Sequence, residues 1–233
     1  MTDNDHFIDI YMRKASAYDQ MVAREDYQHH LLPALTAIHP LKDALVAEFG
    51  AGTGRLTRLL APEVRRIYAF DFSAHMLETA APTLPSNHNW TLAVGDNHHM
   101  PARAHLADIA IAGWSFGHAT GWYPDRWRDD IAGALAEMER LVVSGGVLII
   151  LETLGTGSET PTPPSQSLAD YYHWLETERG FSATWIRTDY QFASVQEADQ
   201  LTRFFFGDGL ADRIVSNQMT ILPECTGIWW RKV

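Results

Sequence analysis

Hydrophobic residues along this chain change their period several times, and the changes mark its elements. Within residues 7–39, Tyr18, Met21, Val22, Leu31, Leu32, Leu35 and Ile38 recur at three- and four-residue steps, the spacing of one apolar helical face. Pro33 is expected to kink or break this segment, and Pro40 to end it. Ala44–Phe49 then reads as a strand, followed by a glycine turn and a short helix, Leu56–Leu60. A second strand, Arg66–Phe70, ends in Asp71, and Ser73 is placed to cap a helix through Met76 and Leu77. Trp90–Val94 is a third strand closing on Gly95-Asp96-Asn97, and Asp108–Ala112 a fourth that opens into a loop, Gly113–His118. The stripe Ile131, Leu135, Met138, Leu141 and Val142 predicts a helix over about 125–142, stopped by Ser144-Gly145-Gly146. Val147–Leu151 is continuously apolar, as a strand buried on both faces requires. Five strand–helix alternations predict an α/β fold: a Rossmann-like, doubly wound and mostly parallel sheet with helices on both faces.

Residues 153–165 break this rhythm with Gly155, Gly157, Pro161, Pro163 and Pro164, a loop longer than a simple connection. An aromatic helix, Leu168–Glu178, and a strand, Ala183–Phe192, come next. Ser194-Val195-Gln196-Glu197 is a capping box opening a helix with Leu201, Phe204 and Phe205, interrupted at Gly207-Asp208-Gly209 and resumed to Val215. The last strand lies within 219–230. The whole is expected to be one domain: a helical cap (1–39), a core (40–154), an insertion (155–181), and strands and a helix completing the sheet (182–233). The insertion follows the fifth strand, so it should emerge at the carboxyl end of the sheet. With Tyr18, Arg24 and Tyr27 of the N-terminal helix it is expected to form a lid, with Tyr171, Tyr172 and Trp174 facing a substrate.

Charge and composition narrow the partners. A net charge of −11 argues against a nucleic-acid backbone, which needs clustered Lys and Arg. The single cysteine, Cys225, excludes an intrachain disulfide and fits a reducing cytoplasm. Residues 1–6 are acidic and polar, unlike a secretory signal, and the apolar run Val147–Leu151 is far too short to span a bilayer. A soluble cytoplasmic protein with a small-molecule partner, and with neither nucleic acid nor membrane, is therefore expected. Monomer or homodimer is left open.

The chemistry concentrates at Glu48-Phe49-Gly50-Ala51-Gly52-Thr53-Gly54. Glycines at alternate positions admit crowded backbone conformations and remove Cβ atoms from the path of a ligand. The N–H groups of the following helix face whatever lies over the turn. A dinucleotide fingerprint wants G-x-G-x-x-G, but Arg55 stands where its third glycine would be. Glu48 would repel a pyrophosphate and suits a cationic or amino-bearing ligand. Asp71, seventeen residues past Gly54 at the next strand end, suits the hydroxyls of a ribose.

On these residues the chain resembles the class I S-adenosylmethionine-dependent methyltransferases, in their small-molecule branch near the type-11 and quinone-biosynthesis enzymes. The resemblance covers residues 44–154 strongly and implies an antiparallel last strand. It also implies a cofactor site built from Glu48, Gly50, Ala51, Gly52, Gly54 and Asp71. Asp96 and Asn97 would meet the adenine, Phe72 and Met76 would cover its faces, Trp114 would lie near the sulfonium, and Tyr18 would close the site. S-adenosylmethionine would be the methyl donor and S-adenosylhomocysteine the product. Two rival readings are a non-catalytic S-adenosylmethionine-binding protein and an NAD(P)-dependent oxidoreductase.

Several departures prune the branches. Ala112-Gly113-Trp114-Ser115 is not the Asn/Asp-Pro-Pro-aromatic motif of amino-group DNA methyltransferases. The Gly113–His118 loop offers no acid for a hard cation, and His29-His30 and His98-His99 are adjacent pairs with diverging side chains, so no metal is expected. Methyl transfer needs chiefly alignment. Where the acceptor must lose a proton, His118, Tyr172 and His173 are the candidate bases.

Overall fold

A computed structural model describes Ile10 and residues 13–233. The polar 1–6 segment and part of the proposed first helix (residues 7–9, 11 and 12) lie outside the described residues. Helix α1 (Ala15–Val22) is followed by a break and α2 (Leu31–Ile38). The break falls before Pro33, not at it. Asp26, at φ 56°, accepts the backbone N–H groups of His30 and Leu31 at 2.8 and 3.1 Å, satisfying the new helix start. Pro33 sits in the first turn of α2, where its missing N–H has no intrahelical partner to lose.

The alternating core follows: β1 (Leu45–Phe49), α3 (Arg55–Leu60), β2 (Arg66–Asp71), α4 (Ala74–Ala80) and β3 (Trp90–Val94). Then come β4 (Ala107–Gly113), α5 (His118–Trp122), α6 (Trp127–Leu141) and β5 (Val142–Thr156). The C-terminal part carries α7 (Gln166–Thr177), β6 (Ser182–Arg187), the two-residue β7 (Tyr190–Gln191), α8 (Val195–Phe206), α9 (Asp208–Ser216), β8 (Ile221–Leu222) and β9 (Glu224–Lys232). Ser73, Ser165 and Ser194 each cap their helix by accepting a backbone N–H three residues on. Glu197 of the expected capping box turns to Ala193 N–H and to Arg24. The sequence pattern missed α5 entirely, because its first residues read as the end of a glycine loop.

The main sheet has seven strands in the order β3-β2-β1-β4-β5-β9-β6. β1 to β5 are parallel, and β9 runs antiparallel to both β5 and β6. The expected doubly wound sheet with its antiparallel last strand is therefore present. Period-two alternation sorts the strand residues: Phe49, Ala110, Leu148 and Ile150 join one core with α6 and α7, and Val46, Ile109, Ile149 and Leu151 join another with α2 and α3. Among the described residues no helix is long and apolar enough to cross a membrane.

The insertion departs from expectation. Tyr171, Tyr172 and Trp174 of α7 are buried at 0–4% exposure and pack on Trp127 and Trp229, with Tyr172 stacked on Trp229 at 4.5 Å. Helix α7 is thus part of the core and not a lid: its aromatic stripe buries itself against Trp127 of α6 and Trp229 of β9. Only Leu168 in its first turn and the preceding loop border the functional face. Trp174→Ala should cost about 3–5 kcal/mol of stability in chemical denaturation. A cost below about 1 kcal/mol would show the aromatic cluster to be peripheral.

Candidate functional site

At the carboxyl ends of the parallel strands the turn after β1 is held by β2. Both oxygens of Asp71 accept backbone N–H groups, from Gly52 and from Ser73, each at 2.8 Å. Ala51 N–H adds a bond to Phe70 O at 2.8 Å. Gly50, Gly52 and Gly54 all have positive φ, so the turn requires glycine in the backbone itself. Their surroundings differ. A Cβ on Gly50 would strike Ser115 and one on Gly54 would press on Leu84 and Ala80, both packing constraints. A Cβ on Gly52 would project between Met76 and Tyr18, and all three residues border one cavity.

That cavity has a volume of about 330 Å³. Tyr18, Glu48, Gly50, Ala51, Gly52, Asp71, Phe72, Met76, Asp96, Asn97, Trp114 and His118 all line it. The strand-end logic thus gathers residues from β1, β2, β3 and β4 around one space, and Gly54 lies behind it as packing. The residues fit the expected cofactor: a Cβ-free floor at Gly52, acids at two strand ends for hydroxyls and an amine, and an exposed Phe72 with buried Met76 as apolar walls. Glu48 is buried, with Oε2 accepting the Thr57 hydroxyl at 2.5 Å; burial pushes its carboxyl up to about 8 despite that bond. Burial likewise raises Asp71 against the two backbone N–H bonds that lower it. Asp96 is lowered, chiefly by the backbone N–H of His98, whose ring also bonds it at 2.8 Å.

Trp114 does not offer the face expected of it. The Arg55 guanidinium lies 3.6 Å from the centroid of its ring, so a cation already covers that side. Arg55 also pairs with Glu25 at 2.7 Å, which ties the segment after α1 to the glycine turn.

A second cavity, of about 590 Å³, adjoins the first, and Tyr18, Arg55, Trp114 and His118 border both. Its walls come from α1, the end of β5, the 155–164 loop, the first turn of α7, α8, α9 and the start of β9. His118 stacks on Trp122 at 5.1 Å, and burial holds its ring down to about 4 against a hydrogen bond to the Trp114 backbone. It is therefore neutral at physiological pH, the form able to accept a proton. The other two candidate bases lie elsewhere. Tyr172 donates to Thr153 O at 2.8 Å within the core, and His173 is exposed on the outer side of α7; neither lines either cavity. The helical period that buries positions 171, 172, 174 and 175 turns 173 outward.

Three carboxylates of this second cavity were not anticipated: Glu25, Glu152 and Glu224. Glu152 Oε1 accepts Gly117 N–H at 2.8 Å, and Glu224 Oε1 accepts the Thr153 hydroxyl at 2.7 Å. Burial pushes both up to about 8, with the Glu25 charge adding to the rise at Glu224. Glu152 could have been found by the rule that found Asp71 and Asp96, since it is the first polar residue after the apolar run of β5. Glu25 and Glu224 carry no local signal; distant segments bring them in. Among the described residues no group of three His, Cys, Asp or Glu is placed to hold a metal ion.

Known proteins resemble this chain in sequence and in fold. Residues 47–150 match the family model described as a methyltransferase domain. A malonyl-[acyl-carrier protein] O-methyltransferase of Serratia marcescens is 29% identical over 182 residues, covering 76% of this chain and 63% of that protein. An uncharacterized methyltransferase of Geobacillus thermodenitrificans is 29% identical over 63% of this chain and 66% of its own length. The chain thus spans just under two thirds of these relatives. Phosphoethanolamine N-methyltransferase 2 of Haemonchus contortus, solved with S-adenosyl-L-methionine, superposes with a TM-score of 0.61 at 17% identity, over 100% of this chain and 60% of that one. A SAM-dependent methyltransferase from Aquifex aeolicus gives 0.56 at 14% identity, over 89% and 95%. With the sheet order, these matches show a methyltransferase domain over residues 47–150, carried on the fold shared with the S-adenosylmethionine-dependent methyltransferases.

Proposed function

We propose that the protein methylates a small-molecule acceptor, with S-adenosylmethionine held in the first cavity and the acceptor in the second. The observation that carries this reading is that the two cavities meet at a shared border of Tyr18, Arg55, Trp114 and His118. A donor and an acceptor seated on either side of that border would be held for direct transfer. Such alignment is worth on the order of 7–11 kcal/mol of a barrier.

The bound donor would supply an electrophilic methyl group on a sulfonium. The chain's own residues position and enclose. Glu48 offers a carboxylate to an ammonium, Asp71 a charged acceptor to ribose hydroxyls, and Asp96 with Asn97 a polar edge to the adenine. Phe72 and Met76 supply apolar faces, while the 155–164 loop and α1 restrict water. His118 stands at the border in its neutral form and would accept a hydrogen bond from an acceptor's O–H or N–H, the burial that keeps it neutral making it a weak base. The relatives do not decide the acceptor, because malonyl-[acyl-carrier protein] offers a carboxylate and phosphoethanolamine an amine.

Asp71→Ala should weaken S-adenosylhomocysteine binding roughly ten- to two-hundredfold, the loss of about 1.5–3 kcal/mol for hydrogen bonds to a charged group. Gly52→Val should abolish binding, through a branched side chain at positive φ between Met76 and Tyr18. Calorimetry on variants shown to be folded checks both; normal affinity in either removes that residue from the site. For His118, ring resonances followed by NMR should stay in the neutral form on acidification through pH 6.5 and titrate near 4. Protonation near the ordinary histidine value would contradict the enclosed position assigned to it.

A further inference from the structure

The acceptor cavity carries a charge pattern that selects among substrates. Its lining holds one guanidinium, Arg55, against Glu25, Glu152 and Glu224. Arg55 and Glu25 satisfy each other at 2.7 Å, and Glu25 Oε1 also accepts the Thr188 hydroxyl. Glu224 feels the Arg55 charge, but among the described residues neither it nor Glu152 forms an ion pair. Glu224 is 2% exposed, and its Oε2 makes no well-formed hydrogen bond, although the Thr156 hydroxyl lies close by. A buried carboxyl oxygen left open on a cavity wall is costly unless a ligand completes it.

We propose, resting on the methyltransferase reading above, that this cavity takes an amine-bearing acceptor whose ammonium is held by Glu224, with Glu152 as the second carboxylate of its wall. The apolar part of the lining gives the shape of the rest of the molecule. Leu168, Pro163, Pro164, Phe205, Phe206 and Leu210 form an apolar surface suited to an aromatic or aliphatic body. Both carboxyls are pushed up to about 8 by burial, a penalty on the charged form that a bound cation relieves.

Two other ligand chemistries compete for the same walls. A metal ion would need clustered ligands, and no group of three is so placed among the described residues. An anion could approach Arg55, whose Nη2 is buried without a partner. It would, however, meet Glu25 across the guanidinium and the two further carboxyl groups, and Arg55 is already paired and stacked on Trp114. With Arg55 already paired, two carboxyl groups that can ionise beside a bound cation favour the cation over an anion.

The test uses the full chain saturated with S-adenosylhomocysteine and three probes of one shape: phenethylamine, 2-phenylethanol and 3-phenylpropanoate. Calorimetry should give the amine about tenfold or greater preference over the alcohol and the carboxylate, the order of a charge-assisted hydrogen bond. Glu224→Gln should remove most of that preference while S-adenosylhomocysteine affinity, which also reports folding, stays within about twofold. Glu152→Gln should shift the preference in the same direction by less, and it serves if the first variant does not fold. Tighter binding of the carboxylate, no binding of the amine to the loaded protein, or indifference to both substitutions would overturn the proposal. Failure of S-adenosylhomocysteine itself to bind would instead bring down the methyltransferase reading, and this inference with it.

Discussion

The structure turns on one carboxylate. Asp71 ends β2 and holds the N–H of Gly52 from the neighbouring strand's turn and the N–H of Ser73 from the start of its own helix. The two bonds fix the glycine turn against β2 and orient α4, and α4 delivers Met76 to the cavity wall. A turn with three positive-φ glycines has little conformational preference of its own, so an external tether decides which of its shapes is populated. The bonds run to a charged group in a largely buried position, where such hydrogen bonds are at their strongest. Residual acceptor capacity on the same carboxylate is what a ribose would use, so the tether and the expected ligand contact are one group.

A second seam joins the acceptor side to this frame. Arg55, the first residue after the glycine turn, lies on Trp114 at 3.6 Å and pairs with Glu25. Arg58 reaches Asp19 in the same way, at 2.8 Å. The segment around α1 is thereby fastened over the junction of the two cavities, with Tyr18 packed on Phe205 of α8. Partly buried ion pairs of this kind contribute modestly to net stability but fix the relative placement of elements. Here they set the border across which donor and acceptor would meet.

Much of this was legible in the sequence, for identifiable reasons. Short apolar runs between turn signals located every strand of the parallel core, because helices cover the sheet on both faces. Strand-end acids after β2 and β3 were legible because the fold brings carboxyl ends to one edge. The same argument applied to β5 would have yielded Glu152. Illegible were Glu25 and Glu224, which reach the site only through contacts between remote segments, and the true place of Tyr171, Tyr172 and Trp174. An aromatic helix beside a Gly/Pro loop has the composition of either a lid or a core element. What decides is the apolar surface of Trp127 and Trp229, far away in the chain. Arg55 was correctly read as excluding a third turn glycine, but its stacking on Trp114 could not be seen without coordinates.

The central claim is that the cavity beside the Asp71-tethered turn holds a sulfonium nucleoside and not a dinucleotide. Calorimetric titration of the wild-type protein with S-adenosylhomocysteine and, separately, with NAD tests it most directly. The account predicts saturable one-to-one binding of S-adenosylhomocysteine and no measurable heat with NAD. Binding of NAD with no response to S-adenosylhomocysteine would contradict it.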